Sequence, residues 1–112
     1  MKVIHYLTED GVDPYQEWVD ALRDKRAKVG ILRRIDRAAG GNFGDHKSCR
    51  AGVSEMRIDQ GPGYRVYYFL HGNAFVVLLG GGDKSGQDAD INRAVACKAD
   101  FLRRMKEDHH DD

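Results

Sequence analysis

Polar and apolar residues alternate most regularly near the middle of the chain, and this alternation predicts β-strands. In the run Val53 to Asp59, Met56 and Ile58 fall on one face, while Glu55 and Arg57 fall on the other. A period of two is typical of a strand with one buried face. The first element of a sheet is therefore predicted here.

Two further runs of strand-forming residues follow, each after a turn signal. Gly61-Pro62-Gly63 precedes Tyr64 to Leu70, which is aromatic and β-branched. Residues 71–74 form the next turn, and Phe75 to Leu79 is continuously apolar, as in a central strand covered on both faces. The three runs together predict an antiparallel meander.

The register of the first hairpin decides which side chains meet across it. If the hairpin is symmetric about Gly61, Arg57 lies directly opposite Arg65. A four-residue loop would shift the pairing by one position, and the sequence leaves both registers open. Either register brings two guanidinium groups close together on one sheet.

An additional strand and a helix are predicted before the meander. Lys2 to Leu7 alternates weakly and predicts a first strand. Asp13 then suits a helix N-cap, Pro14 the first helical position, and Gln16 the glutamine of a capping box. We interpret the apolar positions of this helix, Trp18 included, as core positions; they are Tyr15, Trp18, Val19 and Leu22.

A second helix is predicted from Asp24 to Ala39, with Gly40-Gly41 ending it. Residues 42–52 are polar and contain glycine, which predicts a connecting loop. The residues predicted to be buried on this helix are Ile31, Leu32, Ile35, Ala38 and Ala39.

A last helix is predicted from Gln87 to Lys106, followed by an acidic tail at 107–112 for which fraying is expected. We interpret the two histidines of the tail, at 109 and 110, as incidental and not as metal ligands. The predicted apolar stripe is interrupted by Lys98 and consists of Ile91, Ala94, Val95, Phe101, Leu102 and Met105.

Length and composition place these elements in one α+β domain spanning residues 1–112. The chain has 112 residues and is 41% hydrophobic, which suits a single core. Cys49 and Cys97 belong to no metal-binding or disulfide pattern, so both are predicted to be reduced thiols. The longest apolar run, 74–79, is far shorter than the roughly 20 residues that span a bilayer. A cytoplasmic protein with no membrane partner is predicted.

Charge is balanced over the chain but not along it. Eighteen basic and eighteen acidic residues give a formal net charge of zero, which argues against a surface that binds nucleic acid strongly throughout. Residues 21–50, however, carry nine basic and three acidic residues. On the second helix, a group of arginines either forms a solvated face or contacts an acidic partner or an RNA backbone; they are Arg26, Arg33, Arg34 and Arg37.

Four cations are predicted to gather on one sheet: Lys47, Arg57, Arg65 and Lys84. Fixed cations repel one another unless an anion lies among them, and a phosphodiester fits this requirement. Guanidinium groups bind phosphate oxygens bidentately, and lysine adds a point charge that stabilises the extra negative charge of a pentacoordinate transition state. Such a site needs no metal, and no cofactor is predicted.

Each candidate also has a structural interpretation. Arg57 would pair with Glu55 or Asp59, whereas Arg65 has no acidic neighbour in its own strand, which favours a functional role. His46 is either a general acid or base or a surface residue. Tyr67 would either stack on an RNA base or pack in the sheet.

Several short motifs in order resemble the RelE/ParE superfamily of bacterial toxins, and more closely its HigB-like "addiction module killer" branch. The resemblance covers nearly the whole chain. The motifs are GNFGDHK at 41–47, GVSEMRI at 52–58, GPGYRVYY at 61–68 and LLGGGDKSGQ at 78–87, with Asp90, Ile91 and Ala94 after them.

The resemblance implies a RelE-like α+β fold: an N-terminal strand and two helices, then an antiparallel sheet and a C-terminal helix. It implies a toxin of a type II toxin-antitoxin system. Many members are ribosome-dependent mRNA endoribonucleases, or mRNA interferases, that use the RNA 2′-hydroxyl as nucleophile and inhibit translation. Each is neutralised by a cognate antitoxin, usually a DNA-binding protein.

By position, Arg57, Arg65 and Lys84 match basic residues implicated in RNA cleavage in RelE-like members, and Lys47 matches a lysine common in the HigB-like pattern. These four are the predicted catalytic residues. The predicted RNA-binding residues are His46, Arg33, Arg37 and Tyr67, with Lys47 or His46 aiding proton transfer.

The sequence also departs from the family pattern. Glu55 stands where RelE has a catalytic lysine, and no tyrosine or histidine follows Lys84 near the start of the last helix. Two alternative functions therefore stay open: a ParE-like inhibitor of DNA gyrase, and a catalytically degenerate module that binds an antitoxin.

Overall fold

Five strands form a single sheet at the centre of the fold. A computed structural model describes residues 1–110, and its strands are β1 (Lys2–His5), β2 (His46–Arg50), β3 (Val53–Ile58), β4 (Tyr64–His71) and β5 (Phe75–Asp83). Their order across the sheet is β1-β5-β4-β3-β2. β1 runs parallel to β5, and the other neighbours are antiparallel. The meander β3-β4-β5 is antiparallel, as predicted, and the parallel edge strand β1 makes the whole sheet mixed.

Three helices cover this sheet: α1 (Pro14–Ala21), α2 (Lys25–Ala39) and α3 (Gln87–His110). A short 3₁₀ turn, Lys84–Gly86, joins β5 to α3. The order of helices and strands agrees with the predicted α+β class and with the predicted C-terminal helix. Fraying was predicted for the tail at 107–112. Residues 107–110 are instead helical, because α3 extends to His110, and Asp111 and Asp112 lie outside the described residues.

Alternate residues of the strands bury two separate cores, one on each face of the sheet. The first lies under α1 and α2 and contains Tyr15, Ile31, Met56, Val66 and Leu78 among others. The second lies under α3 and contains Val53, Tyr67, Phe69, Val77, Leu79 and Ala94. Helices therefore cover both faces of the sheet, α1 and α2 on one face and α3 on the other.

The N-cap predicted at Asp13 is present, and Asp24 caps the second helix in the same way. Asp13 Oδ1 accepts from Gln16 N at 2.9 Å, and Asp24 Oδ1 accepts from Ala27 N at 3.1 Å. The Gln16 side chain, however, donates to Asp20 instead of returning to the cap. Asp13 is therefore an N-cap without the predicted capping box.

The buried face of α2 differs from the prediction chiefly at Leu32, and Ala39 is only partly buried. Ile31, Ile35 and Ala38 are buried, but Leu32 is 55% exposed, and Ala27 is buried in its place. A helix turns by about 100° per residue, so Leu32 is carried away from the stripe that Ala27, Ile31 and Ile35 share. The prediction that Leu32 is a core residue was wrong.

The predicted loop at 42–52 contains an edge strand, β2. Its residues are mostly exposed, which is why no buried periodicity marks it in the sequence. Ala51 and Gly52, with φ of 53° and 78°, form the tight turn that returns the chain into β3. A polar strand beside a tight turn has the composition of a loop.

β5 continues four residues beyond the predicted end at Leu79, through three glycines. A Cβ on Gly81 would lie 2.2 Å from the Trp18 ring, and one on Gly82 would lie 2.0 Å from Asp90 Oδ2. The glycines thus let α1 and α3 approach the strand closely. Extension of β5 carries Lys84 to the end of the sheet beside β4.

Lys98, which interrupts the apolar stripe of α3, contributes to packing. Its Nζ donates to Ala51 O at 2.6 Å and lies 5.3 Å from the centroid of the Phe69 ring. The stem of a lysine can cover apolar surface while its ammonium group reaches a polar partner. Lys98 thereby ties α3 to the β2–β3 turn.

The helices of residues 1–110 include none with both the length and the apolar character needed to cross a bilayer.

Candidate functional site

Three of the four predicted catalytic residues line one pocket. Arg57, Arg65 and Lys84 surround a volume of about 360 Å³ beside the β3–β4 loop. Arg57 and Arg65 are directly opposite each other in the ladder between β3 and β4, which confirms the symmetric register. The pocket also meets Asp45, Asp59 and Tyr64, so carboxylates share it with the cations.

Arg65 is a buried residue with a buried partner. Its Nε donates to Glu55 Oε2 at 2.6 Å, and the two residues are 9% and 4% exposed. With its amide oxygen turned toward the guanidinium, Gln87 of α3 also accepts from Arg65 Nε and Nη2, at 2.6 and 3.1 Å. The acidic neighbour that β4 lacks in its own sequence is thus supplied by β3.

Arg57 has a different partner from either one predicted. Its side chain pairs with Asp45, whose Oδ1 lies 2.8 Å from Nη2 and 3.2 Å from Nε. The Arg57 side chain is 38% exposed, so a solvated anion can reach it. Asp45 is held nearby because its carbonyl oxygen accepts from Arg57 N at 2.8 Å.

Lys84 is the most accessible cation of the pocket. It is exposed, and within residues 1–110 no carboxylate forms an ion pair with it. The adjacent Asp83 accepts instead from Ser85 Oγ and Ser85 N, at 2.6 and 2.9 Å, and these hydrogen bonds lower the pKa of Asp83. An ionised Asp83 caps the turn and leaves the Lys84 ammonium group available to an anion.

Lys47 lies beside this pocket but outside it. It is paired with Glu55 across the β2–β3 ladder, on the sheet face that also carries Arg65. Lys47, Glu55 and Gln87 line a neighbouring depression of about 220 Å³. Glu55 and Gln87 therefore separate Lys47 from the other three cations.

His46 lies on the opposite face of the sheet. It pairs with Met56, a residue of the core under α2, and its ring is 5.8 Å from that of Phe43. Its Nδ1 is 2.8 Å from Gly44 O. The structure does not bring His46 together with the cations around Arg65.

The other predicted RNA-binding residues are dispersed. Arg33 and Arg37 are exposed on α2, which packs on the face opposite Arg65. Tyr67 is fully buried beneath α3. An RNA base could not stack on Tyr67 without displacing α3, so the structural interpretation of this residue replaces the functional one.

Arg34 is a site residue that the sequence does not reveal. Its guanidinium donates to the carbonyl oxygens of Arg57, Phe43 and Asp45. These bonds fasten the segment before β2 to the end of β3 and thereby place Asp45 beside Arg57. In the sequence, Arg34 is one of several arginines on α2, and nothing local distinguishes it from its exposed neighbours.

A larger pocket, about 570 Å³, lies elsewhere and has different chemistry. It is lined by Trp18, by the glycines of β5 and by the carboxylates of Glu17, Asp83 and Asp90, with Arg93 as its cation. Burial raises the pKa of Asp90. Three carboxylates make this surface unsuited to phosphate. No group of three or more potential metal ligands occurs within the described part of the chain.

The arrangement can bind one phosphodiester. Lys84 and Arg57 are accessible, and Arg65 is fixed in direction by Glu55 and Gln87. A guanidinium held by a buried carboxylate loses little conformational freedom when an anion contacts its remaining N–H groups. The site is therefore a candidate phosphate-binding site with one prearranged and two solvent-accessible cations.

Comparison with known proteins places the chain in a family. No known family model matches the sequence. An 80-residue segment is 50% identical to a protein of Haemophilus influenzae that is described as uncharacterized, and the match covers 71% of this chain and 81% of that protein. The chain belongs to the same family as this Haemophilus influenzae protein.

Proposed function

We propose that the protein is the toxin of a type II toxin-antitoxin system, with the RelE-like fold of the HigB-like branch. Its activity is that of a metal-independent endoribonuclease, which cuts mRNA at the ribosome in the cytoplasm and halts translation. A cognate DNA-binding antitoxin neutralises it.

The observation that carries this proposal is the meeting of Arg57, Arg65 and Lys84 in one pocket. The two arginines face each other across β3 and β4, and the extended β5 brings Lys84 beside them. Three cations around one cavity match the charge of a phosphodiester as it gains a further negative charge in the transition state.

The proposed reaction is an internal transfer within the RNA. The 2′-oxygen attacks the adjacent phosphorus and loses its proton, and the bond from phosphorus to the 5′-oxygen breaks as that oxygen gains a proton. The products are a 2′,3′-cyclic phosphate and a 5′-hydroxyl. Arg57, Arg65 and Lys84 stabilise the phosphoryl oxygens. We assign no residue to proton transfer, since His46 lies on the other face of the sheet and Glu55 and Gln87 separate Lys47 from the pocket.

A catalytically degenerate antitoxin-binding module is the second candidate. The observation that favours it is the pairing of both arginines, Arg57 with Asp45 and Arg65 with Glu55. Carboxylates in these positions compete with an RNA phosphate for the same N–H groups.

Induced expression in bacteria, followed by mapping of mRNA 5′ ends, tests the proposal. Arg57→Ala and Lys84→Ala remove accessible cations, and Lys106→Ala removes an exposed charge of α3 as a matched control. We expect growth arrest and new 5′ ends in translated regions for the wild type and Lys106→Ala, and neither for the two site variants.

Other outcomes would redirect the assignment. Growth arrest with DNA damage and intact mRNA, insensitive to the site variants, would indicate gyrase inhibition. No growth arrest by the wild type would leave the degenerate module. Equal cleavage by the wild type and both site variants would contradict the proposed site.

A further inference from the structure

The solvent-facing side of α2 combines exposed apolar residues with exposed cations. Val29 and Leu32 are 48% and 55% exposed, although α2 is anchored in the core by its other face. Lys25, Arg26 and Arg33 are exposed around them. We call these five residues the outer face of α2.

The cations of this face are not neutralised within the described chain. Neither Arg26 nor Arg33 forms an ion pair with a carboxylate of the described residues. Asp24 is engaged as the N-cap, where its Oδ1 accepts from Ala27 N. Asp36 is the one acidic residue in the sequence of the helix, so the outer face keeps a positive charge.

A depression lies beside these residues and could receive an apolar side chain. Its volume is about 440 Å³, and its walls are formed by Lys25, Arg26, Val29, Gly30, Arg33 and Gln60. A Cβ on Gly30 would lie 3.3 Å from Gln60 Oε1. The absence of a side chain at Gly30 therefore keeps the depression open.

We propose that the outer face of α2 binds an acidic amphipathic helix of a partner protein. Val29 and Leu32 are three residues apart, and Val29 and Arg33 four apart, so apolar and cationic groups lie side by side on one helix surface. A partner helix with leucines at the same spacing and flanking Asp or Glu would bury Val29 and Leu32 and neutralise the cations of the outer face. This complementarity of charge and hydrophobicity specifies the partner.

Two other occupants fit the surface less well. An RNA backbone would neutralise Arg26 and Arg33 but would leave Val29 and Leu32 exposed. A second copy related by a two-fold axis would place the cations of one helix against those of the other. The proposal concerns α2 alone and does not depend on the nuclease activity.

Selection from a displayed library of random peptides, each about 15 residues long, provides a direct test, because this length supports an amphipathic helix. We expect the peptides that bind the full-length protein to be enriched in Asp and Glu and to carry leucine-like residues at a spacing of three or four. Binding of the selected peptides, measured by fluorescence anisotropy, should weaken about tenfold or more in Leu32→Ser and in Arg33→Glu.

Leu102→Ser provides the matched control, since Leu102 is an exposed leucine of α3 at 38% exposure. Peptide binding should be unchanged in this variant. Selected peptides that are not acidic, or that bind Leu32→Ser and Arg33→Glu as tightly as the wild type, would overturn the proposal. The outer face of α2 would be assigned to RNA instead if two results came together. No selected peptide would depend on Leu32 or Arg33 for binding, and a labelled oligouridylate would bind Leu32→Ser but not Arg33→Glu.

Discussion

Arg65 on β4 donates from Nε to Glu55 Oε2 on β3 at 2.6 Å, and both side chains lie beneath the surface. Glu55 thus holds the arginine that lies between Arg57 and Lys84 in the candidate site. Its carboxylate also lies 3.4 Å from Cys49 Sγ and faces Lys47 across the ladder. The Glu55 carboxylate therefore influences three ionisable groups on the α3 side of the sheet: Arg65, Lys47 and Cys49.

Removal of one partner of this pair should be costly. In Arg65→Ala the Glu55 carboxylate stays buried without its counter-charge, and we expect a loss of about 3–5 kcal/mol in the free energy of unfolding. The double variant Arg65→Ala/Glu55→Ala should lose less than the sum of the two single variants. Urea denaturation of the wild type, the two single variants and the double variant gives the four free energies of unfolding. Additive losses would contradict coupling, and loss of activity in Arg65→Ala cannot by itself identify a catalytic role.

Asp45→Asn should release Arg57 for anion binding. The pair is solvated on both sides, so the stability of the protein should change by less than about 1 kcal/mol. Because Asp45 no longer competes for the guanidinium, a short RNA should bind about two- to fivefold more tightly. Asp88→Asn, on an exposed carboxylate outside the pocket, is the control. An affinity that falls in Asp45→Asn would show that Asp45 assists RNA binding.

The reactivity of the Cys49 thiol should depend on the charge of Glu55. Burial, first, and then the nearby Glu55 raise the pKa of the Cys49 thiol to about 11, so little thiolate is present near pH 8 and alkylation by iodoacetamide should be slow. Glu55→Gln removes the negative charge and should speed alkylation of Cys49 several-fold. Peptide mass spectrometry separates Cys49 from Cys97, and Asp45→Asn serves as a control. Equal rates in the wild type and Glu55→Gln would disprove the contact.

Alkali should destabilise the protein through its buried phenols. Burial raises the pKa of Tyr6 and of Tyr15 to about 12, and it raises that of Tyr67 as well. Their unfolded pKa is about 10, so the stabilising contribution is complete below that pH and is lost as the pH rises toward the folded values. The urea midpoint should therefore fall above about pH 10.

Tyr67→Phe should make this fall less steep. The Tyr67 hydroxyl is buried and has no hydrogen-bond partner among the described protein groups. The variant should thus be as stable as the wild type at pH 7, or more stable by about 1 kcal/mol. An unchanged pH dependence in Tyr67→Phe would contradict burial of the phenol.

Gly81→Ala should disturb the packing of α1 on β5. The added methyl group would lie 2.2 Å from the Trp18 ring, a large side chain packed against the core. We expect a loss of about 1–3 kcal/mol, as for other overpacked positions. Gly80→Ala, where no atom lies within 4 Å of the added Cβ, should change the stability little. Equal effects of the two substitutions would contradict this close approach.

Local patterns in the sequence predicted every element that has a buried face and a clear boundary signal. The meander, the cap at Asp13 and the end of α2 at Gly40-Gly41 were all recognisable from periodicity and turn chemistry. β2 was missed because an exposed edge strand has no hydrophobic period. Leu32 was assigned to the core because an apolar residue near the stripe of a helix cannot be distinguished locally from one within it.

The candidate site was likewise predictable from the sequence only in part. The sequence alone determined that Arg57 and Arg65 lie on neighbouring strands, because hairpin pairing is a local property of the turn between them. Only the tertiary structure decided the partners of these arginines, the burial of Tyr67 under α3 and the separation of His46 from Lys47. Glu55, Asp45 and Gln87 reach the site from other strands, loops and helices. Contacts between segments distant in the chain depend on how whole faces pack, and no local pattern encodes them.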